Sequence, residues 1–371
     1  MKLRSILLFH LPFLIICLVA FFLRFHRISI LTTFGRDQGI DFLTVKEMIV
    51  DHKLTLLGIN VSIADFLRQN FDAEKDAHFI NSIKRMVEGY DAADPEDIST
   101  FTLRDEWLMK PSIAEIVGDN RIKEGYGGLL NFLEQECKKN GVEIKLDSQV
   151  KTIEHKNQSV SVVTMSGEIF TANKIVVTVP LPVIKDIAFV PEIKDTLAMV
   201  NRIGFGSAIK LLLKFKTRWW EYALETDLSK MSFMLCNEEF MTWWTQYPEI
   251  EPVLVGWMAG PSVKKFKETS PNELLDIALV NLSSVFKIDK NKLKEDIVHA
   301  EVINWEHDQF SKGAYSYTTY KTKDAYEKLR EPINDTVFFA GEALYTGEIT
   351  ATVEGALGSG LETVHKILGR Q

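Results

Sequence analysis

The sequence predicts a mixed α/β (α+β) protein, and three observations carry that expectation. Val337, Phe338 and Phe339 read as a short buried strand that exits through Ala340, Gly341 and Glu342. After Thr352 the pattern turns helical, with Val353, Ala356, Leu357, Leu361, Val364 and Leu368 at spacings of three and four. Several short β-patterned runs succeed one another between residues 142 and 179. Amphipathic helical patterns flank them, one opening at Ser62 and another covering 272–286.

At 371 residues, 46% hydrophobic and 25% charged, the chain can bury a sizeable core, and its length allows two or three domains. A net charge of −8 without a basic stripe argues against nucleic acid as a partner. Cys17, Cys137 and Cys236 are too widely spaced for a CxxC site or a disulfide framework. The eight histidines show no metal-ligand spacing, so no metal is expected.

Residues 6–23 form an uncharged run of 18 residues, with Lys2 and Arg4 before it and Arg24 and Arg27 after it. That length lies at the lower edge of what crosses a bilayer. A single transmembrane helix is favoured over a cleaved signal peptide, because no small-x-small cleavage site follows. The expectation is a single-pass membrane protein whose orientation stays open, since positive charge lies on both sides. With that run, residues 31–58 resemble the start of membrane glycosyltransferases that use lipid-linked sugars. Asp37 and Asp41 stand where that family carries acidic residues; read alone, they suit a solvated helix start. Nothing after residue 58 offers a second spanning helix.

Ser62 opens one helical pattern, and Phe79, Ile80, Ile83, Met86 and Val87 continue it in a second. Pro95 is placed to start another after the polar break at Asp91 and Asp94. A helix with Leu129, Leu130, Leu133 and Cys137 on its apolar face stops at Asn140 and Gly141. Strands are expected at 142–146, 150–154, 159–165 and 174–179, with a turn at Ser166 and Gly167. Gly204 and Gly206 make a turn before an apolar strand that contains Lys210. Such a lysine either snorkels to water or has its ammonium satisfied within the fold. Residues 233–257, with Trp243, Trp244 and Trp257, suit the floor of a cavity and suit core packing equally well. His307 reads as a solvated loop histidine in preference to a general base. Gly355, Gly358 and Gly360 each cost the last helix about 1 kcal/mol relative to alanine. Either something large lies close to its backbone or the helix packs tightly on a sheet. Its N-terminus offers unpaired N–H groups, a seat for an anion.

The stretches Phe339 to Glu342 and Thr352 to Ala356 resemble the Phe-Ala-Gly-Glu and Thr-Val-x-Gly-Ala motifs of the flavin-dependent amine oxidases. In that family these motifs form the C-terminal FAD-binding segment. The segment 88–94 has a counterpart there too, and the resemblance covers about residues 59–371. It implies an incomplete FAD-binding Rossmann-like domain and a substrate domain of mixed sheet and helices. The expected division is a membrane anchor and glycosyltransferase-like segment at 1–58, a helical part of the substrate domain at 59–120, FAD-domain residues at 121–185, substrate domain at 186–332 and the C-terminal FAD-binding segment at 333–371. The implied cofactor is FAD, and the implied partners are a small-molecule amine and O2. A hydride passes from the amine carbon to the flavin, the imine is hydrolysed, and O2 is reduced to hydrogen peroxide.

The resemblance makes Lys210, ten residues before Trp220, the catalytic lysine that holds a water against the flavin. It assigns Gly125, Gly127, Val150, Trp305, Gly341, Glu342, Thr352 and Val353 to the cofactor, and Tyr317, Tyr345 and Ile349 to the substrate. The chain departs from the family pattern twice. Residues 1–120 contain no strand followed by a Gly-x-Gly-x-x-Gly turn, the motif that holds the ADP half of FAD. Ile349 stands where the family often has an aromatic residue. These departures predict a truncated oxidase of impaired activity that binds FAD weakly or not at all. The alternatives are a non-catalytic fusion remnant and a membrane glycosyltransferase fragment.

Overall fold

A computed structural model describes residues 59–108, 125–345, 347 and 350–369. The expected spanning run at 6–23, the acidic pair Asp37 and Asp41, and Ile349 lie outside the described residues.

Ser62 caps the first helix, α1 (Ile63–Asn70), accepting a hydrogen bond from the Asp65 N–H at 3.0 Å. Helix α2 (Ala77–Asp91) ends at Ala92, which takes a left-handed φ of 51°. Helix α3 (Thr100–Leu108) begins later than Pro95 suggested. The residues after Asp94 close a turn instead, the N–H groups of Asp97 and Ile98 both donating to its carbonyl at 2.9 Å. Ile63, Phe66, Leu67, Ile83, Val87 and Leu103 form the core of this helical layer.

Helix α4 (Gly125–Lys139) stops before Gly141, whose φ of 79° suits glycine. The strand expected at 142–146 does not form. Alternation alone cannot make a strand without a neighbouring ladder to satisfy its N–H and C=O groups, and here Val142, Ile144 and Leu146 are exposed. Strands β1 (Val150–Lys156), β2 (Ser159–Thr164) and β3 (Ile169–Ala172) form an antiparallel meander. Then come β4 (Ile175–Val177), α5 (Leu181–Ile184), β5 (Ala188–Val190), which runs parallel to β1, and α6 (Lys194–Val200).

Next are β6 (Gly204–Phe205), β7 (Ala208–Phe215), β8 (Phe233–Leu235), β9 (Thr242–Trp244) and β10 (Val253–Ala259). They are followed by α7 (Pro271–Phe286), α8 (Lys290–Asp296) and β11 (Ile297–Asn304). The chain closes with β12 (Ser316–Tyr317), α9 (Lys323–Arg330), β13 (Val337–Phe339) and α10 (Val353–Ile367).

The largest sheet has the order β11-β7-β10-β9-β8, and a second has β3-β2-β1-β5; β12 pairs with β6, and β13 with β4. The large sheet has one fully covered face. Ile209, Leu211, Leu213 and Phe215 of β7 pack there with Leu274, Ala278, Leu279 and Leu282 of α7. Ser270 and Glu273 close a reciprocal capping box at the start of α7.

The expectation of a single-pass membrane protein is corrected. Among the described residues no helix is long and apolar enough to cross a membrane. The 16 residues of α7 would rise only about 24 Å at 1.5 Å per residue, short of a hydrocarbon core about 30 Å thick.

Candidate functional site

The C-terminal corner is built on β13, whose residues are all buried and run parallel to β4, with Val337 opposite Ile175 and Phe339 opposite Val177. Gly341 follows at φ 153°, a conformation that favours glycine, and a Cβ there would meet nothing within 4 Å. Its N–H donates to Ser359 Oγ of α10 at 3.2 Å. Glu342 accepts from the Ser316 N–H at 3.2 Å and from Ser316 Oγ at 2.7 Å, tying this turn to β12. Burial pushes the Glu342 carboxyl above the usual range, and the bonds from Ser316 oppose that. Thr352 caps α10, its Oγ accepting from the Gly355 N–H at 3.1 Å.

The face that α10 turns inward differs from the one its apolar period suggests. Gly355, Ser359 and Thr363 are buried, while Val353, Val364 and Leu368 are exposed. Small residues let the helix backbone come close enough for Ser359 to reach the Gly341 N–H. The glycines of α10 serve different purposes. A Cβ on Gly358 would overlap the Tyr345 ring, whereas one on Gly360 would meet nothing within 4 Å.

At the start of α4, Gly125 has φ 67°, and added Cβ atoms at Gly125 and Gly127 meet nothing within 4 Å. Burial, and then the Glu354 carboxylate, push the Tyr126 hydroxyl upward. Val150 opens β1 opposite Thr164 and packs against the core containing Ile153, Phe189 and Phe339.

Lys210 lies on the face of β7 turned away from α7, opposite Trp257 of β10 and Ile303 of β11. Its Nζ is 5.6 Å from the centroid of the Trp244 ring. Burial lowers the Lys210 ammonium below the ordinary lysine range. Trp244 stacks on Phe233 at 5.9 Å and lies 6.4 Å from Trp257. Trp243 points the other way, fully buried in the core, with Nε1 donating to the Phe240 carbonyl at 2.9 Å. Alternate residues of 233–257 thus face opposite sides of the sheet, Trp243 in the core and Trp244 and Trp257 half-buried on the Lys210 side.

The end of α2 docks on this face. Trp257 Nε1 donates to the Gly89 carbonyl at 2.8 Å, and the Tyr315 hydroxyl to the Tyr90 carbonyl at 2.6 Å. Trp305, whose N–H donates to the Ala208 carbonyl at 3.1 Å, packs with Trp257 and Tyr315 around Ala92, Ala208 and Ala259. Tyr317 goes elsewhere. Its ring covers Gly204, it packs against the helical layer, and burial pushes its hydroxyl up to about 12. Tyr315 is thus the tyrosine grouped with Trp305, a choice that the repeat Tyr-Ser-Tyr does not signal. Trp220 is fully buried and packs edge-on against Phe215 at 6.2 Å, so its interval from Lys210 leads into the core. His307 is exposed. A cleft of about 630 Å³ beside His155, Lys194 and Lys328 and a pocket of about 290 Å³ beside Leu67 and Phe71 share none of these site residues.

Comparison with known proteins bears on this arrangement. The family model for flavin containing amine oxidoreductases matches residues 29–368. The lysine-specific histone demethylase 1 homolog 2 of Oryza sativa subsp. japonica is 30% identical over 247 residues, 65% of this chain and 32% of that protein. Polyamine oxidase 2 of Arabidopsis thaliana is 29% identical over 284 residues, 74% of this chain and 53% of that protein. The chain therefore spans about a third to a half of the length of these relatives. Among solved structures, a redesigned putrescine oxidase has a TM-score of 0.69 at 18% identity, covering 90% of this chain and 75% of that one. Cyclohexylamine oxidase from Brevibacterium oxydans IH-35A gives 0.65 at 16% identity, covering 90% and 73%. At those identities the likeness is one of fold. The match begins at residue 29, inside the segment 1–58, so the glycosyltransferase resemblance there is unsupported and is withdrawn together with the membrane localisation it accompanied.

Proposed function

Because the chain belongs to the flavin containing amine oxidoreductase family, we propose that it oxidises small-molecule amines with FAD as cofactor and O2 as electron acceptor. The observation that carries this reading is the corner at Gly341, where an open-sided glycine, the Glu342–Ser316 tie and the capped start of α10 converge. At Gly341, Gly125 and Gly127 an added Cβ would meet nothing within 4 Å, which leaves the backbone at each open to a bound group. Gly341, Glu342, Thr352, Val353 and Trp305 would hold FAD, together with Gly125, Gly127 and Val150. When bound, FAD supplies the hydride acceptor and, through O2, the route to hydrogen peroxide.

The protein's own residues do the rest. The N-terminal end of α10 carries positive partial charge, which would stabilise negative charge on a reduced cofactor held beside it. The half-buried aromatic face around Lys210 disfavours an ammonium and so favours the neutral amine from which a hydride can leave. Lys210 Nζ hydrogen-bonds the water that attacks the imine carbon, holding it in place. Tyr315, with Tyr345 on the α10 side, borders the amine.

Residues 1–120 show no Gly-x-Gly-x-x-Gly turn to grip the pyrophosphate, so FAD is held weakly in this reading. In the decisive experiment, purified protein is titrated with FAD and then given amines while peroxide is measured. The expected result is flavin absorbance that saturates in excess FAD but is lost on gel filtration, with peroxide formed under saturation. Absence of both saturation and peroxide would overturn the reading. The missing turn favours a second reading, a non-catalytic relative, in which Lys210→Met leaves every flavin signal unchanged.

A further inference from the structure

We propose that the Lys210 face of the large sheet selects amines with an aromatic or alkyl body and a single positive charge, and excludes polyamines. This rests on the amine-oxidase reading above and adds the substrate class. The register sets the composition of the face. Lys210, Trp257 and Thr242 form one row, and Leu212, Val255, Trp244 and Phe233 form the next. Ile303 extends the first row and Glu301 the second.

Phe233, Trp244 and Trp257 keep part of their surface accessible, while Trp243, one residue from Trp244, is fully buried on the opposite face. Trp244 already has one cation 5.6 Å from its ring centroid, the Lys210 ammonium, which marks that ring as an acceptor for cations. A flat or aliphatic body finds matching surface on Phe233, Trp244 and Trp257, the Trp244 ring lying 5.9 Å from Phe233 in its own row and 6.4 Å from Trp257 in the adjacent row.

A polyamine presents a second ammonium several bonds from the reacting nitrogen, and that charge needs a carboxylate once out of water. Among the described residues of these rows the carboxylate is Glu301, exposed on the edge strand β11. On the docked helix α2, Glu88 lies against Gly260, past the end of β10. The Lys210 ammonium, 5.6 Å from the Trp244 ring centroid, repels a second ammonium.

The test is a titration followed by intrinsic tryptophan emission, in excess FAD, with 2-phenylethylamine and 1,4-diaminobutane as probes. The expected result is saturable binding of 2-phenylethylamine about tenfold or more tighter than the diamine, a difference of about 1.4 kcal/mol. Trp244→Ala is expected to abolish the preference, while Trp244→Phe keeps most of it and controls for folding. Equal or tighter binding of the diamine, no binding of either amine, or an unchanged preference in Trp244→Ala would overturn the proposal. The two readings fail separately. Peroxide formation from the diamine alone sinks the selectivity and leaves the oxidase standing. Selective binding of 2-phenylethylamine without any flavin signal sinks the oxidase and leaves the amine site standing.

Discussion

Two buried ionisable side chains, Glu342 and Lys210, show how much of the site rests on single groups. Glu342 has a carboxyl raised by burial, so the fold favours its protonated form. Its stabilising contribution is complete below the unfolded value of 4.5 and is lost as pH rises through the raised folded value. Glu342→Gln cannot ionise and can still accept from the Ser316 N–H. Urea unfolding should show the variant gaining on the wild type as pH rises from the unfolded value of 4.5 through the raised folded value. Glu342→Ala, which strands both Ser316 donors, should cost about 1–3 kcal/mol at any pH in that range. Lys210 has the opposite sign. Burial lowers its ammonium, so the penalty is complete below the folded value and relieved as pH climbs towards 10.5. Lys210→Met should raise Tm at neutral pH, with a gain that shrinks near 10.5, while amine turnover falls about 10²-fold or more. At this scale the sequence was readable where a motif fixed the backbone, as at Gly341, Glu342 and Thr352. It was unreadable where strand register decided. Trp243 against Trp244, and Tyr315 against Tyr317, are neighbours of like chemistry that the pleat or a short strand sends to different places.

Elements were legible wherever hydrophobic period and punctuation agreed, and α10 shows the limit of that agreement. Its period and its Thr352 cap mark a helix at the right place, yet it buries Gly355, Ser359 and Thr363 in preference to the valines and leucines. A hydrogen bond from the Gly341 turn and close backbone approach outweigh the apolar stripe here, and neither is visible as periodicity. Thr352→Ala should therefore cost about 1 kcal/mol through loss of the cap, and Thr352→Ser should restore most of it in the same thermal melt. The segment 142–146 shows the reverse failure, a strand pattern without a strand, because pairing depends on a neighbour and not on the segment itself. The join between α2 and the large sheet is a tighter constraint than any propensity. A Cβ on Gly206 would lie 2.5 Å from the Ala92 carbonyl oxygen, a backbone atom that cannot swing aside. Gly206→Ala should cost about 1–3 kcal/mol and, by moving α2, disturb the Trp257 bond to Gly89. Near-ultraviolet circular dichroism would register that disturbance, and an unchanged spectrum with unchanged Tm would contradict the packing described here.

For the whole molecule, the distribution of apolar surface matters more than any single contact. Three main cores are well covered: the sheet under α7, the layer around β13, and the helices near α1. Helix α4 is the exception, with no buried residue at all. Tyr126, Leu130 and Phe132 on it are exposed, as are Val142, Ile144 and Leu146 just beyond, Val353 and Val364 on α10, and Leu368 after it. Six of these side chains fall within residues 126–146, on α4 and the segment that follows it. Isolated exposed leucines need no explanation, but so many in one region exceed what a solitary globular surface usually shows. This region should bind the dye ANS and promote concentration-dependent association that does not weaken in high salt, since burial of apolar surface is not screened as charge is. Paired substitutions Leu130→Lys and Leu146→Lys should lower dye emission and association together. They should shift unfolding free energy by no more than about 0.5 kcal/mol each, because neither side chain packs against the fold. Light scattering and dye titration on the same samples separate the outcomes. Association that persists with dye emission abolished would place the sticky surface elsewhere, and a large loss of stability would show that α4 is packed more firmly than its exposure indicates.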